Sequence, residues 1–341
     1  MFFELHPPYC IMDPDGKMQK STNLSYTPIT EFVLVGFTGV SQVPELIGVT
    51  FIITFTLTLL GNVFVVLIIK HNESLHTPMY IIICNLALSD LMYSTVISPK
   101  VIQVYLTGSN TIRVPICLIQ MYFLHFAGSV HSYMLLVMAI DRYVSICHPL
   151  RYPSLLSNTK AQLLCLGAWM LGAVSPLVHI CAATLQPYCG PNKIPHLYCE
   201  YGIVISLSCN DVFFFFQLGS TIACLILICP FVLVVLSYLR ITISVLKIDS
   251  SGRRMKAVYT CSTQLLVISI YFLPRLFVYI AFVSGMYMPG DVRVSLGLLY
   301  CLLPPLVNPM IYSFRLNEIR QIIAKALKIK KNIPVKIRMQ K

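Results

Sequence analysis

LIGVTFIITFTLTLLGNVFVVLII, residues Leu46 to Ile69, holds no charged side chain and is bracketed by Glu45 and Lys70. A bilayer core is crossed by about 20 apolar helical residues, so this segment is long enough to span one. Six more runs of similar length follow: about Met79 to Gln103, Val114 to Ile140, Ala161 to about Thr184, Val212 to Leu239, about Ala257 to Ser284, and Val294 to Phe314. Hydrocarbon offers the backbone no hydrogen-bond partner, so each run must close its own bonds as a helix. The expected fold is therefore an all-α membrane protein, a bundle of seven transmembrane helices. Pro274, Pro304, Pro305 and Pro309 predict local kinks rather than breaks. Three regions follow: residues 1–45 as an extracellular segment, 46–314 as the seven-helix domain, and 315–341 as a basic cytoplasmic tail.

Composition agrees with lipid as the main solvent. Of 341 residues, 57% are hydrophobic and only 11% charged, where a soluble domain carries about 25% charged. The +12 net charge is not a nucleic-acid footprint, because of where it lies. With the amino end outside, the outer segments hold only Lys17, Lys20, Lys100, Arg113, Lys193, Arg275 and Arg293 of the 25 basic residues. The rest, including Arg240, Lys247, Arg253, Arg254, Lys256 and the tail from Arg315, fall on the inner side, as the positive-inside rule expects. Membrane lipid is the implied contact, and no nucleic acid.

Met1 to Leu24 lacks a continuous apolar core, so no secretory signal peptide is expected and the first span would act as the targeting signal. Asn23-Leu24-Ser25 is a glycosylation sequon on the predicted outside, whereas Asn72-Glu73-Ser74 falls inside. After Phe314, Leu316, Ile319, Ile322, Ile323, Ala326 and Leu327 alternate with Arg320, Lys325 and Lys328 as a short amphipathic helix for the inner leaflet.

Seven spans suit a receptor, but also some channels and transporters, and local motifs decide. Met138-Ala139-Ile140-Asp141-Arg142-Tyr143-Val144-Ser145-Ile146-Cys147-His148-Pro149-Leu150-Arg151-Tyr152 stands at the inner end of the third span. This string resembles the signature of odorant (olfactory) receptors, a branch of the rhodopsin-like G-protein-coupled receptors. Gly61-Asn62, Leu75-His76-Thr77-Pro78-Met79-Tyr80, Ser89-Asp90, Ser237-Tyr238, Lys256-Ala257 and Pro305-Leu306-Val307-Asn308-Pro309-Met310-Ile311-Tyr312-Ser313 support the same resemblance over nearly the whole chain.

The resemblance implies an odorant receptor that takes a small, mostly hydrophobic ligand and activates the olfactory stimulatory G protein, raising cyclic AMP. It implies no cofactor, and the plasma membrane, in the cilia of olfactory neurons, as location. It also implies the disulfides Cys117 with Cys199 and Cys189 with Cys209, a pairing that spacing alone leaves open among three arrangements. Asp141, Arg142, Tyr143, Tyr238, Lys256, Asn308, Pro309 and Tyr312 are the expected activation switch and G-protein-coupling set.

Asp90 is costly at mid-membrane and should face the interior, with Asn62 and Asn308 as partners. Related receptors bind sodium there. This chain departs from the family it resembles by placing His131 where odorant receptors usually have a glutamate, so His131 is expected either as a charged partner of Asp90 or as a neutral, hydrogen-bonded ring. Tyr271-Phe272 reverses the usual Phe-Tyr order, and Gln264 replaces a histidine.

The ligand cavity is expected between the outer halves of the third, fifth, sixth and seventh spans. Leu124, His125, Gly128 and Ser129 form one expected inward stripe, faced by Ile222, Ile226, Arg275, Leu276 and Tyr279. Arg275 lies about two turns below the outer end of its span, too deep to go uncompensated. It is expected to pair with an anionic group on the ligand, or structurally with Glu200 or Asp291, or to reach the interface. The eight histidines are scattered and no paired membrane carboxylates or zinc spacing appear, so no enzyme and no metal site is expected. Internal repeats and charged pore rings, the marks of a transporter or ligand-gated channel, are not found by inspection. The remaining alternative is a non-olfactory chemosensory member of the same superfamily.

Overall fold

The computed structural model describes residues 11–12, 18–19, 29–39, 44–189, 192–247, 249–284, 286 and 288–326. Asn23 and residues 327–341 of the tail lie outside these, as does the side chain of Lys256. Among the described residues, seven helices are long and apolar enough to cross a membrane. Numbering only the longer helices, these are α1 (Pro44–His71), α2 (Pro78–Thr107), α3 (Val114–Cys147), α4 (Asn158–Thr184), α5 (Phe213–Leu246), α6 (Ser251–Val283) and α7 (Gly290–Arg315). The amphipathic α8 (Asn317–Ala326) follows. Each covers its expected run to within one residue, and most extend it by a turn or two into polar flanks, which the hydrophobic run alone does not mark.

The helices are turned inside out relative to a soluble bundle. On α1, Thr58, Asn62, Val65 and Ile69 are buried at helical spacing. Leu46, Ile53, Leu57 and Leu60 of the same helix are exposed, the arrangement that a hydrocarbon solvent favours. α3 is the central element, packed on α2, α4 and α5 and touching α6. α1 and α7 close one side. Gly61 permits their approach, since a Cβ there would stand 2.9 Å from the ring of Pro309.

Prolines leave the helices continuous at α2, α5, α6 and α7 but divide α4, where Asn158–Val174 and Leu177–Thr184 are separated at Ser175-Pro176. A proline lacks an N–H, so the carbonyl four residues earlier loses its helical donor. Three such carbonyls are filled from neighbouring helices. Asn62 Nδ2 donates to the Pro305 carbonyl freed by Pro309, at 2.8 Å. Ser132 Oγ donates to the Ile226 carbonyl freed by Pro230, at 2.9 Å, and Arg275 Nη1 to the Tyr300 carbonyl freed by Pro304, at 3.1 Å. The prolines of α5 and α7 are thus points of cross-linking between helices.

At the Cys117 end the connections fold over the bundle. Glu31–Leu34 pairs antiparallel with Thr111–Arg113 and parallel with Lys193–Ile194, a small sheet absent from the all-helical expectation. Its strands are too short for periodicity to reveal. Phe32 and Leu34 point down into a cluster with Met121, Tyr188, Ile194 and Ile205. The structure joins Cys117 to Cys199 and Cys189 to Cys209, with Cα separations of 5.5 and 5.6 Å. The first ties the long loop between α4 and α5 to the top of α3; the second closes that loop on itself.

Candidate functional site

Three groups of polar residues lie at successive depths along α3. Uppermost is a tyrosine cage around Arg275. The guanidinium donates through Nη2 to the Tyr93 hydroxyl at 2.6 Å, as well as to the Tyr300 carbonyl. It also stands over three aromatic faces, 4.2 Å from the centroid of Tyr271, 4.8 Å from Tyr300 and 5.5 Å from Tyr93, distances at which a cation is attracted to a ring. Tyr198, from the loop after α4, shares a hydrogen bond with Tyr300 at 3.1 Å, and Cys301 lies against the hydroxyls of Tyr93 and Tyr198.

This corrects the structural alternatives for Arg275. Glu200 instead caps the short helix Tyr201–Ile205 by accepting from the Ile203 N–H, and Asp291 accepts from Thr38 and Gly39. Arg275 itself is buried, so it does not reach the interface either. Burial raises the Glu200 pKa, which weakens it further as a counter-ion.

The expected stripe on α3 divides. Leu124 packs with Tyr93, Ile97 and Leu298, and the Gly128 carbonyl accepts from the Tyr271 hydroxyl at 2.6 Å. His125 and Ser129 turn toward α4, where His125 stacks on His179 with centroids 4.6 Å apart and Ser129 accepts from Ser175 at 2.9 Å. Successive residues of a helix are set about 100° apart, so two adjacent positions seldom share a narrow face. Ile222 and Ile226 lie half-buried on α5, and Leu276 and Tyr279 pack against the central core from α6. Tyr93, Tyr198, Tyr300 and Cys301 were missed because they come from three separate elements. A signal for part of the cage was present: Pro304 marks the Tyr300 carbonyl as needing a donor.

One step deeper, Tyr271 stacks on His131, with centroids 4.4 Å apart and planes 8° from parallel. His131 Nδ1 lies 3.2 Å from Asp90 Oδ1, at ion-pairing distance but off the line of a hydrogen bond. Asn308 Nδ2 donates to Asp90 Oδ2 at 2.9 Å. The expectation that Asn62 also holds Asp90 is corrected: its amide is spent on the carbonyls of Thr58 and Pro305. The proline-freed carbonyl had the stronger unmet need.

At the far end, Arg142 lies 3.8 Å from Asp141 and donates to the sulfur of Met79, while the Tyr152 hydroxyl donates to Asp141 at 2.7 Å. The Tyr143 ring meets His148 edge-on. Tyr238 donates to Gln264 at 3.1 Å, joining α5 to α6. Met79, Met138, Arg142, Gln264 and Tyr312 surround a void of only about 10 Å³, so these helix ends are drawn together. Pro309 and Asn308 connect this end to the middle group through α7.

Comparison with known proteins identifies the family. Residues 51–330 match the family model described as olfactory receptor. The chain is 36% identical to human olfactory receptor 10A3 over 298 residues, 87% of this chain and 94% of that protein. It is 33% identical to human olfactory receptor 6N1, over 89% of this chain and 97% of that protein. Rat olfactory receptor 1f45 is also 33% identical, over 90% and 97%. A seven-helix membrane protein with this match along its length belongs to the olfactory receptor family of G-protein-coupled receptors, a family of receptors and not of enzymes.

Proposed function

We propose that the chain binds a small, mostly apolar odorant at the Cys117 end of the bundle and activates the olfactory stimulatory G protein at the Arg142 end, raising cyclic AMP. The observation that carries this reading is the chain of contacts that descends from the Cys117 end to α7 in the middle of the bundle. Arg275 lies on Tyr271, Tyr271 on His131, and His131 beside Asp90, which holds Asn308 of α7. A ligand that displaces Arg275 or Tyr271 changes the setting of α6 relative to α3, and a ligand can favour one state only through such a differential contact.

The Arg142 end has the form of a closed docking surface. Tyr238–Gln264 ties α5 to α6, the contact of Arg142 with Met79 ties α3 to α2, and Tyr152–Asp141 fastens the following connection to α3. A G-protein helix would need these contacts to part, in the manner of a helix entering an apolar groove. The Cys117 end faces outside, with Asn23 glycosylated, and α8 lies on the inner leaflet of the plasma membrane, in sensory cilia.

The test is to express the full chain with the olfactory G protein and screen a chemically diverse panel for cyclic AMP, with surface receptor counted by antibody to an amino-terminal tag. A ligand-dependent rise that Arg142→Ala abolishes supports the reading. Ligand-evoked current without any G protein, or silence from a well-expressed receptor across the panel, overturns it.

A further inference from the structure

We propose that the ligand class is anionic: an organic carboxylate whose charged end seats between the Arg275 guanidinium and the hydroxyls of Tyr93, Tyr198 and Tyr300. This rests on the receptor reading above and narrows it.

The argument is a count of donors against acceptors. A guanidinium carries five N–H donors and no acceptor. Arg275 is 8% exposed and makes two hydrogen bonds among the described residues, to the Tyr300 carbonyl and the Tyr93 oxygen. The Tyr93 oxygen thus accepts from Arg275 and lies 3.9 Å from the Cys301 sulfur, a weak acceptor that its own hydrogen shares with the Tyr198 hydroxyl at 3.8 Å. Tyr198 and Tyr300 share one hydrogen bond, so one of their two hydroxyl hydrogens is left over.

The cluster therefore holds surplus donors and a full positive charge. The membrane-depth carboxylate Asp90 is engaged by Asn308 and His131. Glu200 is occupied as a helix cap and Asp291 by Thr38 and Gly39. Aromatic faces attract the guanidinium but do not neutralise it, and an uncompensated buried charge is costly. A carboxylate supplies two oxygens that accept side-by-side N–H donors, the arrangement for which a guanidinium is shaped.

What surrounds the cluster selects the rest of the molecule. Ile97, Val101, Leu124, Leu197 and Leu298 pack around it, an apolar wall suited to a hydrocarbon tail. Inorganic chloride would answer the charge and leave that wall unused. The recognised compounds are therefore small aliphatic or aryl-alkyl carboxylates, held on the α2 and α7 side of α6 and not on its α5 side.

Cells expressing the full chain and the olfactory G protein are given straight-chain and aryl-alkyl carboxylates together with the matched primary amides and alcohols. Carboxylates should act at concentrations at least ten-fold below their amides. Arg275→Gln, which keeps a donor for the Tyr300 carbonyl, should remove that advantage, and Arg275→Lys should keep part of it. Where a variant does not reach the surface, the comparison of acid with amide on the unaltered receptor decides. Amides or alcohols equal to acids, or an Arg275→Gln receptor with an undiminished preference for acids, overturn the proposal while leaving the receptor reading in place. So does purified receptor whose melting temperature rises with chloride but not with carboxylate. Silence toward all three classes from a receptor present at the surface also overturns the carboxylate proposal, whereas the receptor reading falls only with silence across the diverse panel.

Discussion

The imidazole of His131 lies face to face with the phenol of Tyr271, 4.4 Å between centroids and 8° from parallel. One edge of the same imidazole faces Asp90 at 3.2 Å. His131 thus joins the buried carboxylate of α2 to the aromatic floor beneath Arg275. Removing it leaves Asp90 with Asn308 alone among the described residues. His131→Ala is expected to destabilise the receptor by about 1–3 kcal/mol, the cost of a buried polar group deprived of a partner. Adding Asp90→Asn to that variant should recover much of the loss, because the orphaned carboxyl group is then gone. Thermal unfolding of the purified receptor in detergent measures both; equal losses in the single and double variants would contradict this assignment.

The proline-freed carbonyl of α7 gives a second expectation. Asn62→Ala removes the donor to Pro305 and should cost about 1–2 kcal/mol. In a Pro309→Ala background the helix supplies its own N–H to that carbonyl, so Asn62→Ala should cost clearly less. A double-mutant cycle on thermal unfolding reads the coupling. Strict additivity would show that the two residues do not share the carbonyl.

Tyr152 donates to Asp141 at 2.7 Å from the short helix Tyr152–Leu155 between α3 and α4, and so restrains the Asp141–Arg142 pair without belonging to it. Tyr152→Phe deletes one hydrogen bond to a carboxylate, worth about 1.5–3 kcal/mol. If that bond belongs to the resting state, its loss should raise ligand-free cyclic AMP several-fold at equal surface expression. Unchanged or lower basal signal would place the bond in the active state or in neither.

His196, in the loop between α4 and α5, is buried beside Tyr198 and accepts at Nδ1 from the Leu197 N–H at 3.0 Å. Burial, with Arg293 nearby, holds its pKa down to about 3. A histidine depressed in the folded state is neutral there while the unfolded chain takes up a proton below about pH 6.5. Stability is therefore fully present above that pH and falls as pH drops toward 3, by at most about 1.4 kcal/mol per unit. Glu200, whose pKa is raised by burial, acts in the opposite direction above its unfolded value. His196→Gln should flatten the pH dependence of unfolding between pH 5 and 6.5, a window in which an unchanged slope would dismiss the histidine as its cause.

The seven helices were legible because lipid makes the same demand on every residue of a span, so run length alone locates them. The break in α4 was less so: Pro176 sits inside the apolar run as Pro274 does in α6, and composition does not tell which proline a neighbouring helix will accommodate. On α3, helical spacing grouped Leu124, His125, Gly128 and Ser129, whereas the structure sets Leu124 and Gly128 toward α2, α6 and α7 and gives His125 and Ser129 partners on α4 that are invisible to a one-dimensional reading. Asp90 was expected to be held by asparagines, and one of them, Asn62, is instead drawn to a carbonyl that a proline exposes. Arg275 was legible as an anomaly, whereas its cage was not, since Tyr93, Tyr198 and Tyr300 meet only once the bundle closes.

The small sheet over the Cys117 end imposes an order on biosynthesis. Its middle strand, Glu31–Leu34, is made early, finds its first partner at Thr111–Arg113 and its second only when Lys193–Ile194 leaves the ribosome. Such distant pairings form late and slowly. More than half the chain must be translated before the amino-terminal strand can be flanked on both edges, and the Cys117–Cys199 bond waits on the same stretch. Until then Phe32 and Leu34, later wholly enclosed, stand uncovered, so nascent receptor is expected to depend on a holding chaperone at this stage.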